Sequence, residues 1–263
     1  MSNKKTSGGF PLIVSAIAIV ICLGIGILIY AFVLGDKNNF DAEHHPHNFL
    51  GIMYQGGLIV PILLGVLFTV ICFFFERLIT INKANGAGNT DKFVSNIKEL
   101  ISSNDLDGAI AACDKQKGSL GNVVREGLIK YQFVQNDNTM NKEAKVAAIS
   151  KALEEATALE LPMLSKNLSI ISTCASIGTL VGLIGTVVGM INAFGALAQA
   201  GTPDTAKLAT GISEALVNTL VGILSSALAI IFYNFFSNRV DQITFAMDEA
   251  GFSIIGEFQA SGK

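Results

Sequence analysis

The chain has 263 residues, of which 51% are hydrophobic and only 15% charged, and its formal net charge is −3. Such an apolar composition with so few charges is typical of an integral membrane protein. The sequence has no basic block and no interleaved basic and aromatic residues, which excludes a nucleic-acid partner. It has four cysteines but no Cys-x-x-Cys or His-Glu-x-x-His motif, so no disulfide framework, metal site or cofactor is expected.

Four segments are apolar over the ~20 residues that a helix needs to cross a bilayer. They cover residues 10–34, 56–75, 167–203 and 206–236, and the fourth has one ionisable residue well inside it, Glu214. The first segment is longer than the apolar core of a cleaved signal peptide, so it is interpreted as a retained anchor. No alternating strand pattern occurs. The predicted fold is all-α, with four transmembrane helices and a helical cytoplasmic domain.

Basic residues near the ends of the spans lie on one side of the membrane if the four spans alternate in direction. The residues on that side are Lys4, Lys5, Arg77, Lys83, Lys166 and Arg239, whereas the opposite side has only Lys37 and Lys207. Basic residues concentrate on the cytoplasmic side of membrane proteins. Both termini are therefore predicted to be cytoplasmic.

These features predict five parts along the chain. Residues 1–54 form an N-terminal anchor with an outer loop, 55–82 the second transmembrane helix, and 83–166 a cytoplasmic helical domain. Residues 167–238 contain the third and fourth spans, and 239–263 form a cytoplasmic amphipathic tail. The apolar positions of this tail are Phe245, Phe252, Ile254 and Ile255.

Within the cytoplasmic domain, helix-capping residues predict where the helices begin. The candidate caps are Thr90 or Asp91 for the first helix and Asp105 or Asp107 for the second. A break at residues 118–119 precedes a third helix, and residues 141–161 strongly favour a fourth. Pro162 either kinks the chain or begins the next helix.

The third and fourth spans carry hydroxyl groups at matching depths. If these spans are antiparallel neighbours, counting ~1.5 Å per residue from the loop near Pro203 places Thr186 level with Thr219. The same register places Thr179 level with Ser226, and Glu214 level with Ile191 and Asn192. Paired hydroxyls can support ordered water or face an ionisable partner. The candidate proton-pathway residues are Thr186, Thr219, Glu214, Thr179, Ser226 and Asn218.

A structural interpretation of the same residues stays open. The hydroxyls could bond to backbone carbonyls of their own helices, and small residues permit close helix packing. The glycines that would form the packing surface are Gly178, Gly182, Gly185 and Gly189 on the third span and Gly222 on the fourth. Glu214 must pair, take up a proton or face water. It could relay protons or act as a polar contact between subunits.

Apart from Glu76 at the inner boundary, Glu214 is the only acidic residue within the membrane, so a sustained proton path needs a titratable group from another polypeptide. Residues 182–190 and 212–219 resemble the two signature stretches of the ExbB/TolQ/MotA proton-channel family. Residues 76–77 and 104–109 are also similar to ExbB, the most similar branch. The resemblance covers residues 55–240.

The resemblance implies a pentamer in the bacterial inner membrane around an ExbD-like single-span protein whose membrane aspartate carries the proton. Thr186 and Thr219 would line the pathway, and Glu214 would lie near its periplasmic end. A TonB-like protein would transmit the work to outer-membrane transport. Tol-type envelope maintenance, a gliding motor and a non-conducting scaffold remain alternatives. No enzyme active site or transporter repeat is evident.

The chain departs from the family pattern at residues 10–34, because members of the family generally have three spans. This additional helix could pack at the periphery or bind an accessory subunit. The loop that follows it contains His44, His45 and His47 beside Asp41 and Glu43. Such residues could bind zinc or sense pH, but solvated loop residues are the commoner explanation.

Overall fold

The computed structural model describes residues 12–41, 45–198 and 205–260, and over these residues the chain is almost entirely helical. The longer helices are α1 (Leu12–Ile29), α2 (Phe49–Tyr54), α3 (Val60–Asn85), α4 (Thr90–Ser102), α5 (Leu106–Gln116), α6 (Gly118–Gln135), α7 (Lys142–Ser165), α8 (Leu168–Ala198) and α9 (Thr205–Ala260). Short helical turns cover Tyr30–Leu34, Lys37–Asn39 and Gly57–Ile59. Four helical stretches, which include α1, α3, α8 and α9, are long and apolar enough to cross a membrane. The predicted all-α fold with four spans is confirmed.

The described residues form two compact units. The span unit contains the described residues from Leu12 to Glu76 and the segment Asn167–Asn234. The helical-domain unit contains Arg77–Lys166 and the part of α9 that begins at Phe235. The division of the chain into the five predicted parts stays a prediction.

Side-chain caps set the helix starts in the helical-domain unit. Asn89 caps α4 by accepting hydrogen bonds from the backbone N–H groups of Asp91 and Lys92, so the predicted cap at Thr90 or Asp91 is wrong. Asn89 is extended and outside the helix, as an N-cap must be, whereas Thr90 is already its first residue. Asp105 caps α5, in agreement with one of the two predicted choices.

Two further boundaries in this unit depend on backbone geometry. Pro162 lies inside α7 and does not begin a new helix. The helix continues to Ser165, and Asn167 then adopts a positive φ of 63°. Asparagine tolerates this left-handed conformation better than most residues. The helix boundary therefore falls after the proline, at the junction of α7 and α8.

The predicted tail is the last part of α9, which runs without interruption through 56 residues. No glycine or proline lies between Gly222 and Gly251, so nothing in that stretch favours a break. Phe258 is fully buried and packs edge-on against Tyr131 of α6, with ring centroids 4.9 Å apart. Ile254 is buried as well, whereas Phe245 and Phe252 are exposed.

The additional helix α1 packs against α3 inside the span unit. A Cβ built on Gly26 would lie 2.6 Å from the carbonyl oxygen of Pro61, and one built on Gly65 would lie 2.5 Å from Leu23. Backbones approach this closely only where side chains are absent. Leu34, just after α1, belongs to a buried cluster with Val60, Leu63, Leu64, Val217 and Val221. Within this unit, α1 therefore packs on α3 along one face, while most of its apolar side chains, such as Ile13, Val20 and Ile27, are exposed.

Buried polar contacts also join α1, α3 and the start of α8. Ser15 Oγ donates a hydrogen bond to Asn167 Oδ1 at 3.2 Å, and Asn167 Nδ2 donates to Glu76 Oε2 at 3.3 Å. All three side chains are buried. Buried polar groups need partners, so this network favours one arrangement of the three segments.

Candidate functional site

The interface between α8 and α9 is lined by glycine on the α8 side. Cβ atoms built on Gly178, Gly182 and Gly189 would lie 2.7, 3.2 and 2.7 Å from atoms of α9. A Cβ on Gly185 would overlap the side chain of Asn218, and one on Gly222 would lie 2.7 Å from the carbonyl oxygen of Gly178. All five glycines are buried. Their absent side chains allow the two backbones to approach closely.

The threonines predicted to share a depth are hydrogen-bonded across this interface. Thr186 Oγ1 and Thr219 Oγ1 are 2.9 Å apart, and either can be the donor. Thr179 Oγ1 donates to Ser226 Oγ at 2.9 Å. The predicted register is thus confirmed for both pairs, while the role of these residues in a proton pathway stays a prediction.

The same threonines also face carbonyl groups of their own helices. Thr186 Oγ1 lies 3.2 Å from the oxygen of Gly182, and Thr219 Oγ1 lies 3.2 Å from that of Ala215. A hydroxyl has one proton, so it can donate to the backbone or across the interface, but not fully to both. The pair can therefore adopt two donor orders, Thr186 to Thr219 or the reverse. Such reversibility is what a relay of hydrogen bonds requires.

Glu214 lies five residues before Thr219 on α9 and is half-buried. Asn192 Nδ2 donates to its Oε2 at 3.4 Å, so Glu214 meets one of the two residues at which the depth count placed it. On another side, the carboxylate packs against Gly57, where a Cβ would lie 2.5 Å from Oε1. Sequence reasoning missed Gly57 and its neighbour Gln55. The paired glycines at positions 56 and 57 are the only local signal that could have indicated a close contact there.

Asn218 is fully buried, and its amide nitrogen and oxygen have no hydrogen-bond partner among the described residues. It packs against the backbone of Gly185. Asn218 follows Glu214 by four residues, so the two side chains lie on the same face of α9. A buried amide without a partner is unfavourable, and an internal water is the usual solution.

The Thr186 side of the interface reaches the surface of the span unit. Thr186 and Thr219 are half-buried, and Thr179 is exposed. A shallow depression beside Thr186 is lined by Val187, Met190, Ile191 and Phe194. The hydroxyl pairs are therefore accessible from an apolar surface of α8, whereas Asn218 is enclosed.

The histidine loop supports no metal site in the part that can be described. His44 and Glu43 lie outside the described residues. The backbone N–H of His45 donates to Asp41 Oδ1 at 2.8 Å. Among residues 12–41, 45–198 and 205–260, no group of three or more His, Cys, Asp or Glu side chains is placed to hold a metal ion.

Comparison with known proteins decides the family. Residues 116–249, about half of the chain, match the model of the MotA/TolQ/ExbB proton channel family. The chain belongs to this family. The matched region ends within α9 and includes the whole α8–α9 interface, whereas α1 and α3 precede it. Family membership and the four apolar helices together identify a multi-pass membrane protein.

Relatives from two branches of the family are similar to the chain. It is 30% identical over 121 residues to the Tol-Pal system protein TolQ of Pseudomonas aeruginosa, covering 46% of this chain and 52% of the relative. It is 27% identical over 144 residues to the biopolymer transport protein ExbB of Pseudomonas putida, covering 55% and 43%. The chain spans about half the length of the curated relatives it matches.

Proposed function

We propose that the chain is an inner-membrane subunit of a proton-driven motor and that α8 and α9 form its half of the proton pathway. The main support for this proposal is a pair of hydrogen-bonded contacts between α8 and α9, Thr186 with Thr219 and Thr179 with Ser226. Both contacts lie within the region that matches the family. Hydroxyl groups pass hydrogen bonds in either direction but do not hold a net charge at neutral pH. The pathway therefore needs a carboxylate from elsewhere.

An ExbD-like single-span protein with a membrane aspartate would supply that carboxylate. Its helix would pack on the apolar surface beside Thr186, which brings the aspartate next to the hydroxyl pair. We further propose a homopentamer around this partner, with cytoplasmic termini and the Glu214 end of the pathway towards the periplasm. A buried water held by Asn218 would connect Glu214 with the threonines.

The work produced would drive TonB-dependent outer-membrane transport through a TonB-like protein. The similarity to a TolQ and an ExbB protein leaves Tol-type envelope maintenance and a gliding motor as alternatives within the same class. Native mass spectrometry of the chain co-expressed with a single-span partner would measure the stoichiometry. Restoration of iron-complex uptake in a strain that lacks its own ExbB would support the TonB assignment.

The pathway is tested by replacing Thr186 or Thr219 with valine, which keeps the shape but removes the hydroxyl. Proton flux into membrane vesicles should be abolished while the oligomer still assembles. Matched controls are Thr173→Val on α8 and Thr210→Val on α9, whose hydroxyls donate to Ser169 and Ala206 of their own helices. Normal flux in both pathway variants would refute the assignment of the proton pathway to these hydroxyls, whereas absence of flux in the unaltered chain with its partner would favour a non-conducting scaffold.

The role of Glu214 is tested by Glu214→Gln, which preserves size and removes the charge. If Glu214 relays protons, the variant assembles normally and the pH dependence of proton flux changes. If Glu214 is a contact between subunits, the oligomer dissociates instead. Native mass spectrometry and flux measurements on the same preparation distinguish the two results.

A further inference from the structure

The turn that precedes α3 contacts the α9 segment that carries Glu214. Ser213 Oγ donates to Gln55 Oε1 at 3.4 Å. A Cβ on Gly56 would lie 2.7 Å from Val217 Cγ1, and one on Gly57 would lie 2.5 Å from Glu214 Oε1. Three successive residues of this turn therefore meet one helical turn of α9. We call residues 55–57 the Glu214 turn.

Gly57 is suited to its position in two ways. Its φ of +73° lies in the left-handed region that side chains disfavour. It also has no Cβ, so its backbone can lie directly against the carboxylate of Glu214. A side chain at this position would push the carboxylate away. Gly57 therefore defines the space available to Glu214 on this side.

Aromatic contacts hold the Glu214 turn in place. Tyr54, the residue before it, stacks on Tyr30 with ring centroids 4.7 Å apart and meets the edge of Phe40 at 5.6 Å. Tyr30 Oη also donates to the carbonyl oxygen of Tyr54 at 3.2 Å. Tyr30 follows directly after α1. The additional N-terminal helix and its loop therefore hold the segment that covers Glu214.

We propose that the Glu214 turn is a positioning element that directs the carboxylate of Glu214 towards Asn192 and limits its contact with water. This inference rests on the proposed function only for the measurement of proton flux. The measurement of access to Glu214 does not require that the chain conducts protons. The titratable groups near Glu214 in the described residues are Tyr30, Tyr54 and Lys207. Of these, Tyr30 and Tyr54 belong to the aromatic contact, and Lys207 lies two helical turns before Glu214 on α9.

The first test measures access to Glu214 without requiring activity. A water-soluble carbodiimide modifies accessible carboxyl groups, and mass spectrometry of the full chain in membranes gives the modification rate of Glu214. Gln55→Ala and Tyr30→Phe each remove one hydrogen bond that holds the turn. Each should raise the rate about fivefold, the change in open population expected from losing one hydrogen bond of average strength. The control is Gln132→Ala, which removes a similar bond to Asp107 in the other unit.

The second test measures positioning. Gly57→Ala should lower proton flux roughly tenfold or more and alter its pH profile, because misplacement of a reacting group by about 1 Å has effects of this size. Gly88→Ala controls for strain, since Gly88 has a φ of +108° but its built Cβ would lie 3.8 Å from the nearest atom. In the Glu214→Gln background, Gly57→Ala should leave the residual pH profile unchanged.

Equal modification rates in Gln55→Ala, Tyr30→Phe and Gln132→Ala would overturn the proposal. So would a normal flux and pH profile for Gly57→Ala in a protein that conducts and is blocked by Thr186→Val. If the unaltered chain and its partner conduct no protons, the proposed function fails. The modification rates then still decide whether the turn covers Glu214.

Discussion

Replacing Gly185 with alanine tests whether close contact between α8 and α9 maintains the neighbouring threonine pair. The new Cβ would overlap Asn218 and lie 2.7 Å from its Cγ, about 0.7 Å less than the 3.4 Å at which ordinary contact begins. Asn218 is fully buried, so its side chain has little room to move. The helices must separate, and the Thr186–Thr219 distance of 2.9 Å would then grow to about 3.6 Å. That exceeds the range of an O–H···O hydrogen bond.

Two other glycines of α8 provide a graded comparison. A Cβ on Gly182 would lie 3.2 Å from α9 and requires a shift of only a few tenths of an ångström. A Cβ on Gly195 would meet no described atom within 4 Å. Each variant gains the same intrinsic helix preference of alanine over glycine, so comparing variants isolates the packing contribution. Overpacking typically costs ~1–3 kcal/mol, so Gly185→Ala should be less stable than Gly195→Ala by that amount, with Gly182→Ala between them.

The measurements are unfolding of the full chain in detergent micelles and proton flux in vesicles with its partner. Gly195→Ala should retain flux, and Gly185→Ala should lose it together with the threonine contact. Equal stability of the three variants would show that this interface is not closely packed. Full flux in Gly185→Ala would show that the threonine pair does not need its 2.9 Å separation.

Three further predictions follow from buried side chains. Asn218→Leu removes an amide that lacks a hydrogen-bond partner in the described part of the chain. The free energy of unfolding should therefore stay constant or rise by ~1–3 kcal/mol, while proton flux falls. Marked destabilisation would show that the amide is a structural contact. Burial raises the pKa of Cys113 from 9.0 to about 12. Between these two values the thiol is protonated in the folded protein but ionised in the unfolded chain. The contribution of Cys113 to the free energy of unfolding is therefore complete below pH 9 and should be lost as the pH rises towards 12. The destabilisation caused by Cys113→Ala, measured by chemical unfolding, should shrink across that range. Phe258→Ala should destabilise the helical-domain unit by ~3–5 kcal/mol, because Phe258 is fully buried. Phe252 is 75% exposed, so Phe252→Ala should change stability by less than ~0.5 kcal/mol. Equal effects of the two variants in thermal unfolding would contradict this packing.

The relative depth of residues in α8 and α9 could be predicted because it depends on the rise per residue of an α-helix. The rise per residue of an α-helix is nearly fixed, so residues equally distant from a connecting loop lie at equal depth in antiparallel helices. That count correctly paired Thr186 with Thr219 and placed Glu214 level with Ile191 and Asn192, of which Asn192 contacts it. It could not show that Asn218 is enclosed, because depth along a helix does not determine which face meets a neighbour.

Other features depended on contacts that no short pattern encodes. Asn89 and Thr90 are both acceptable caps by residue type, and only the backbone conformation decides between them. The sequence gives Phe245, Phe252 and Ile254 the same status as apolar tail positions, yet both phenylalanines are exposed and Ile254 is buried. Phe258, near the end of the tail, packs on Tyr131. That choice depends on where the edge of α6 lies.

The sequence by itself determined the all-α class, the four apolar spans and the depth of the polar groups in α8 and α9. These properties depend on hydrophobicity and helical rise, which are local to each segment. Only the tertiary structure decided that α1 packs against α3 and that the turn at Gly57 lies against Glu214. Contacts between such distant residues depend on how the helices pack side by side, and that arrangement is selected by the fit of many surfaces at once.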